Sequence, residues 1–196
     1  MRIPIFPLNG AILFPQTNLP LNIFEERYID MIDYALSRGR YLGMVQQKED
    51  NDLYDVGCYG KITVFNETPD NRYLINLEGI SCFKIKKELN NGQKFRICEI
   101  EIFDNLSDSI LKDGLKSTIL DSFKKYNKVK NINMNLDDIS KLSLVDLLKL
   151  IVMVSPFGVS VKQMFLELKS NKELYESILS TLEIELASNQ ESVSIN

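Results

Sequence analysis

Residues 3–36 read IPIFPLNGAILFPQTNLPLNIFEERYIDMIDYAL, and the fold is decided where the hydrophobic period of this stretch changes. Residues 3–6 and 12–14 are short apolar runs of strand type, parted by Pro7 and Gly10, and residues 19–24 form a third. Pro7, Pro15 and Pro20 lack a backbone donor, which predicts positions at strand ends or sheet edges. From Glu25 onward the spacing is helical: Tyr28, Met31, Ile32, Ala35 and Leu36 make one apolar face. Ser37, Arg38 and Gly39 end that helix, with a cation and a glycine at its C-terminus.

Downstream, residues 41–46 read as a strand. KEDNDLYD (48–55) is an acidic connection; it fails as a calcium loop because Tyr54 stands where an oxygen ligand is needed and no glycine follows. VGCYGKITVFNE (56–67) is a long strand whose Gly57 and Gly60 predict a bulge or a close backbone approach. After a turn at 68–71, Tyr73, Ile75 and Leu77 alternate with Leu74, Asn76 and Glu78, and Gly79 is read as breaking that strand. Phe83 and Ile85 alternate with Lys84 and Lys86 in the next, Asn90, Asn91 and Gly92 signal a hairpin turn, and Ile100 and Ile102 alternate with Glu99 and Glu101 in the last. Six or seven strands around one helix predict a mostly antiparallel β lobe, closed or sandwiched so that few edges remain.

The composition shifts at 103–107, the predicted lobe boundary. Leu111, Leu115, Ile119, Phe123 and Tyr126 then recur at helical spacing, and KKYNKVK (124–130) closes that helix. Its lysines suit a helix C-terminus better than an RNA patch. Residues 131–138 read as a polar loop. Residues 144–154 are apolar almost all round, as a buried helix would be, and Pro156 and Gly158 stop them. Capping boxes at Ser160 with Gln163 and at Ser170 with Glu173 predict two more helix starts. Leu174, Ile178, Leu182 and Leu186 form the stripe of the last helix. The predicted fold class is therefore α+β: a β-rich lobe over 1–105, a helical bundle over 106–188 and a polar tail over 189–196, with no internal repeat.

The opening stretch, with VGCYGKI (56–62), DNRYLINLEGISCFKI (70–85), FRICEIE (95–101) and VKQMFLE (161–167), resembles the Lon N-terminal, substrate-binding domain family in its stand-alone form. These pieces follow the family's order along nearly the whole chain. The resemblance implies a PUA-like pseudo-barrel with one helix, a helical bundle after it, and a role in recognising polypeptides. Full-length Lon proteases carry ATPase and Ser-Lys protease domains after this region, and the expectation here is a recognition module without them. Within the family's motif the candidate polypeptide-binding residues are Glu25, Arg27 and Tyr28. Each also has a structural reading: Glu25 as an anion in the first helical turn, Tyr28 on the core face, and Arg27 paired with a strand carboxylate. Cys82 departs from the pattern, standing where relatives often carry arginine.

Bulk properties narrow the function further. The 196 residues are 44% hydrophobic and 26% charged, an ordinary globular composition. The net charge of −4 is spread over both halves, so neither is a basic nucleic-acid-binding module. Cys58, Cys82 and Cys98 are odd in number, form no CxxC and match no zinc spacing, which predicts buried thiols in a reducing compartment. No signal peptide opens the chain, and the apolar run 144–154 carries Asp146 and Lys149 and is too short to span a bilayer. The expected location is the cytoplasm, away from membranes.

The chain contains no histidine, which excludes Ser-His-Asp and Cys-His catalysis and every histidine-ligated metal. There is no GxxxxGK[ST], GxGxxG or GxSxG stretch. Serines and lysines are plentiful, so spacing leaves a Ser-Lys dyad open. The leading expectation is a non-catalytic module, with no cofactor and no metal, that binds unfolded or extended polypeptides in a groove between its lobes and passes them to a protease or chaperone. RNA binding by a PUA-like barrel is the alternative, opposed by the acidic charge and the absence of tryptophan and of RNP-like aromatics. An uncharacterised enzyme is the third reading, with no motif in its favour.

Overall fold

Alternating apolar residues fold the first half of the chain into strands, and one amphipathic segment folds into a helix packed on them. The structure, a computed structural model, describes residues 1–90, 92–103, 114–132 and 134–194. The chain divides into two compact units, Met1–Asn105 and Leu106–Asn196.

The first unit runs β1 (Arg2–Pro7), β2 (Asn18–Ile23), α1 (Glu26–Leu36), β3 (Tyr41–Val45), β4 (Val56–Glu67), β5 (Tyr73–Leu89) and β6 (Arg96–Phe103). The strand order is β2-β5-β4-β3-β1-β6, and a further β5–β6 pairing closes five strands into a ring. Every pairing is antiparallel except β1 with β3, whose crossover is supplied by β2 and α1. Closure is possible because β5 is one strand of 17 residues. Along one side it pairs with β4; along the other its first part takes β2 and its last part takes β6.

Gly79 therefore does not break the strand as the sequence suggests. It lets the strand pass another segment closely: a Cβ there would lie 2.1 Å from the Phe14 carbonyl oxygen. Residues 12–14, read as a strand, are instead an irregular segment buried against that glycine. Thr17 takes over part of the hydrogen bonding, its hydroxyl donating to the Phe14 carbonyl at 2.8 Å. The backbone of Gln16 and Thr17 is bonded to Gly79 at 2.8 and 2.9 Å. Gly57 and Gly60 behave as their spacing predicts, with register shifts beside Gly60 and a Cβ at Gly57 only 2.5 Å from the Met44 oxygen. Ile100 is buried but Ile102, at the end of β6, is exposed. Gly92 has a positive φ of 68° in the β5–β6 connection, while Asn91 lies outside the described residues.

Two cores result. Tyr28, Met31, Ile32 and Ala35 of α1 pack with Phe6, Leu42, Ile62 and Leu77. Ile3, Ile5, Phe83 and Ile100 form the other. The helix begins one residue later than the motif suggests: Glu25 is its N-cap, with extended backbone and no side-chain capping bond.

The second unit is helical: α2 (Leu115–Lys130), α3 (Leu136–Ser140), α4 (Leu144–Val154), α5 (Val159–Glu167) and α6 (Asn171–Ser194). α4 packs against α2, α5 and α6. Three details differ from expectation. α3 forms where a polar loop is predicted, because Asn135 caps it by accepting from the Asp137 N–H at 3.0 Å. α5 starts at Val159 with Gly158 as N-cap, so Ser160 lies inside the helix. α6 continues through Ser194 into the predicted polar tail, which contains no glycine or proline to stop it. Ser170, by contrast, caps as predicted, accepting from the Glu173 N–H at 3.2 Å. Leu111 and most of the predicted boundary at 103–107 lie outside the described residues. Among the described residues no helix is long and apolar enough to cross a membrane.

Candidate functional site

The parallel pairing of β1 with β3 brings the C-terminal ends of both strands to one end of the ring, with Pro7 opposite Val45. β2 ends at the same place and turns there into α1. A pocket of about 260 Å³ forms between these ends. β1 and the residues after it supply Phe6, Pro7, Leu8 and Asn9; β2 supplies Asn22 and Ile23. Phe24, Glu25, Arg27 and Tyr28 come from the helix start, and Gln47 follows β3. The volume falls below the ~300–1,000 Å³ of sites that enclose a drug-sized ligand, and matches one or two side chains better.

Inside it, aromatic and ionic contacts are layered. Tyr28 is buried and meets Phe6 edge-on, ring centroids 4.6 Å apart. Arg27 also lies over the Tyr28 ring, its Cζ 4.5 Å from the centroid, a cation–π contact. The same guanidinium donates to Glu25 Oε2 from Nε at 3.0 Å and lies 2.8 Å from it through Nη2. Arg27 thus pairs with a carboxylate at its own helix start, and the expected strand partner is corrected. The reason is reach: the N-cap carboxylate lies two residues away, on the same turn. Burial pushes the Tyr28 hydroxyl above its ordinary pKa, with Arg27 opposing the rise and Glu25 adding to it. Asn9 Oδ1 accepts from the Gln47 backbone N–H at 3.1 Å and so ties the loop after β1 to the end of β3.

Glu25, Arg27 and Tyr28 are therefore gathered in one pocket. Phe24, Asn9, Asn22 and Gln47 are lining residues that sequence reasoning missed. Phe24 is 67% exposed, a large apolar surface at the mouth. Its signal was present: Leu19, Leu21 and Ile23 point inward, so period-two alternation puts Pro20, Asn22 and Phe24 outward. Asn9 and Gln47 carry no such signal, because the parallel pairing that joins them spans 38 residues. Cys58, Cys82 and Cys98 are buried thiols outside this pocket. Cys82 is fully buried and adds no charge to the interior.

The family model for the ATP-dependent protease La (LON) substrate-binding domain matches residues 2–183. Lon protease of Buchnera aphidicola subsp. Baizongia pistaciae is 26% identical over 95% of this chain, and Lon protease of Escherichia coli K12 is 24% identical over 95%. In both cases the match covers 25% of the relative, so the chain spans about a quarter of the length of the curated relatives it matches. Among solved structures, a Lon N-terminal domain protein from Xanthomonas campestris superposes with a TM-score of 0.68 at 19% identity, covering 92% of this chain and 98% of that one. The N-terminal domain of the Mycobacterium avium complex Lon protease gives 0.70 at 14% identity, covering 93% and 98%.

Proposed function

The chain belongs to the LON substrate-binding domain family, and we propose on that basis that it is a non-catalytic module binding exposed hydrophobic or extended polypeptide segments at the pocket between β1, β2 and α1. The observation that carries this reading is the exposed Phe24 ring at the mouth of a pocket floored by Phe6 and Tyr28. An apolar side chain pressed there leaves water on both sides of the contact, with little demand for a particular sequence. In this reading Glu25 and Arg27 hold the rim, the module works in the cytoplasm, and a protease or chaperone receives the client.

Affinity is expected to be weak, on the order of micromolar, because ordering a flexible chain offsets much of the contact energy. The test is fluorescence anisotropy of a labelled denatured protein, with a melting curve for each variant. Arg27→Ala, Glu25→Ala and Phe24→Ala should weaken binding. The ion pair is about half exposed on both sides, 52% and 46%, so its loss should cost no more than ~1 kcal/mol of stability. Unchanged binding with a large fall in melting temperature would make these residues scaffold and sink the proposal.

A further inference from the structure

Beside the closed ring one strand is left with an open side. β2 pairs with β5 alone, and among the described residues no strand lies along its other edge. That edge carries no charged side chain: it reads Asn18, Leu19, Pro20, Leu21, Asn22, Ile23. Natural edge strands are blunted by charges, bulges or proline, and β2 has only Pro20. The unpaired N–H and C=O groups of such an edge are a template for another strand. β2 also leads directly into the pocket, which its last two residues line and which Phe24 overhangs.

The charges say what kind of chain would fit. Among the pocket's lining residues only Glu25 and Arg27 are charged, and they neutralise each other at 2.8 Å. A free chain terminus would have to break that pair to find a counter-ion, whereas an uncharged internal segment would not. Side-chain amides of Asn9, Asn22 and Gln47 also line the pocket, and carboxamides can both donate to and accept from a peptide backbone.

We infer that the free edge of β2 and the adjoining pocket form one docking surface for an internal, uncharged, extended polypeptide segment, which adds as a strand beside β2 and seats one apolar side chain against Phe24 and Tyr28. This rests on the polypeptide-binding reading and specifies its geometry and its ligand. Affinity comes from main-chain hydrogen bonds, so recognition is tolerant of sequence. Selection comes from the single apolar anchor and from the absence of charge.

The experiment uses a short fluorescent peptide of threonine and serine with one central leucine, capped at both ends, and the full chain. Four altered forms accompany it: one with a free C-terminal carboxylate, one with leucine replaced by serine, and two N-methylated at alternate residues, one in each phase. In an added strand only alternate N–H groups face the partner. One methylated phase should therefore lose about tenfold in affinity and the other little. The serine form should lose a similar factor, and the free carboxylate should bring no gain. Amide NMR shifts should concentrate at residues 18–24. Equal binding of both methylated phases and the parent, tighter binding of the free acid, or shifts centred elsewhere would overturn the docking surface while leaving polypeptide binding intact. The same holds if no peptide binds but the denatured protein does; if neither binds, the functional reading falls as well.

Discussion

At position 79 a missing methyl group decides the path of two segments. The Phe14 carbonyl occupies the place of a Cβ, and the obstacle is backbone rather than a side chain that can swing away. Gly79→Ala must push the buried 12–17 segment off β5, and should cost roughly 1–3 kcal/mol or more in urea unfolding. A second residue-scale case is Lys162, 4% exposed, whose Nζ donates to the Met153 carbonyl at 3.3 Å in the last turn of α4. Burial lowers its pKa below the ordinary lysine value. The unfolded chain then binds more protons than the folded one between the two pKa values, so this residue's contribution to stability rises with pH in that interval. Lys162→Met removes the titration. The difference in stability between wild type and variant should shift in favour of wild type as pH is raised from neutrality towards the ordinary lysine pKa; a pH-independent difference would show that burial does not perturb the amine.

Among the elements, β1 shows how proline enters a strand that has neighbours on both sides. β3 pairs with the stretch Ile5 to Pro7, and β6 with Arg2 to Ile5. The two registers are staggered, so Pro4 has a partner only in β6 and Pro7 only in β3. Each proline sits where the strand is locally an edge, and Pro20 lies in β2, an edge throughout. α4 answers to burial instead of pairing. Leu147, Leu148, Ile151 and Val152 are fully buried, and Ser143 caps the helix by accepting from the Asp146 N–H at 3.1 Å. Leu148→Ala should destabilise by ~2–5 kcal/mol, as for a leucine cut from a packed core. A small shift in urea unfolding together with reduced client binding would place Leu148 on a binding face.

For the molecule as a whole, the two units each contain their own apolar cores, and the boundary at 105 is a proposal that can be tested by expression. A fragment of residues 1–105 should unfold cooperatively with a strand-dominated circular dichroism spectrum; a broad, non-cooperative transition would argue against that boundary. The chain has neither a nucleotide-binding P-loop nor histidine. Purified alone, it should neither hydrolyse ATP nor cleave an unfolded protein. ATP turnover that follows the protein through successive columns, and is lost on mutation of the chain, would contradict the non-catalytic reading.

The helix face of Tyr28, Met31, Ile32 and Ala35, the strands over 41–45 and 56–67, and α4 at its observed bounds were all legible, because periodicity is a local property that each segment writes for itself. Glu25, Arg27 and Tyr28 were legible as candidates through the family motif, and Phe24 could have been read from the phase of β2. What local pattern could not supply was partnership. Residues 12–14 are as apolar as a strand, yet they form none and instead set the Phe14 carbonyl against Gly79 of β5. Gly79 itself reads as a breaker until Phe14 arrives from 65 positions earlier in the chain. The pocket exists because a parallel pairing sets Pro7 beside Val45 and lets Asn9 meet Gln47. Such contacts depend on ring closure, a property of the packed chain and of no segment within it.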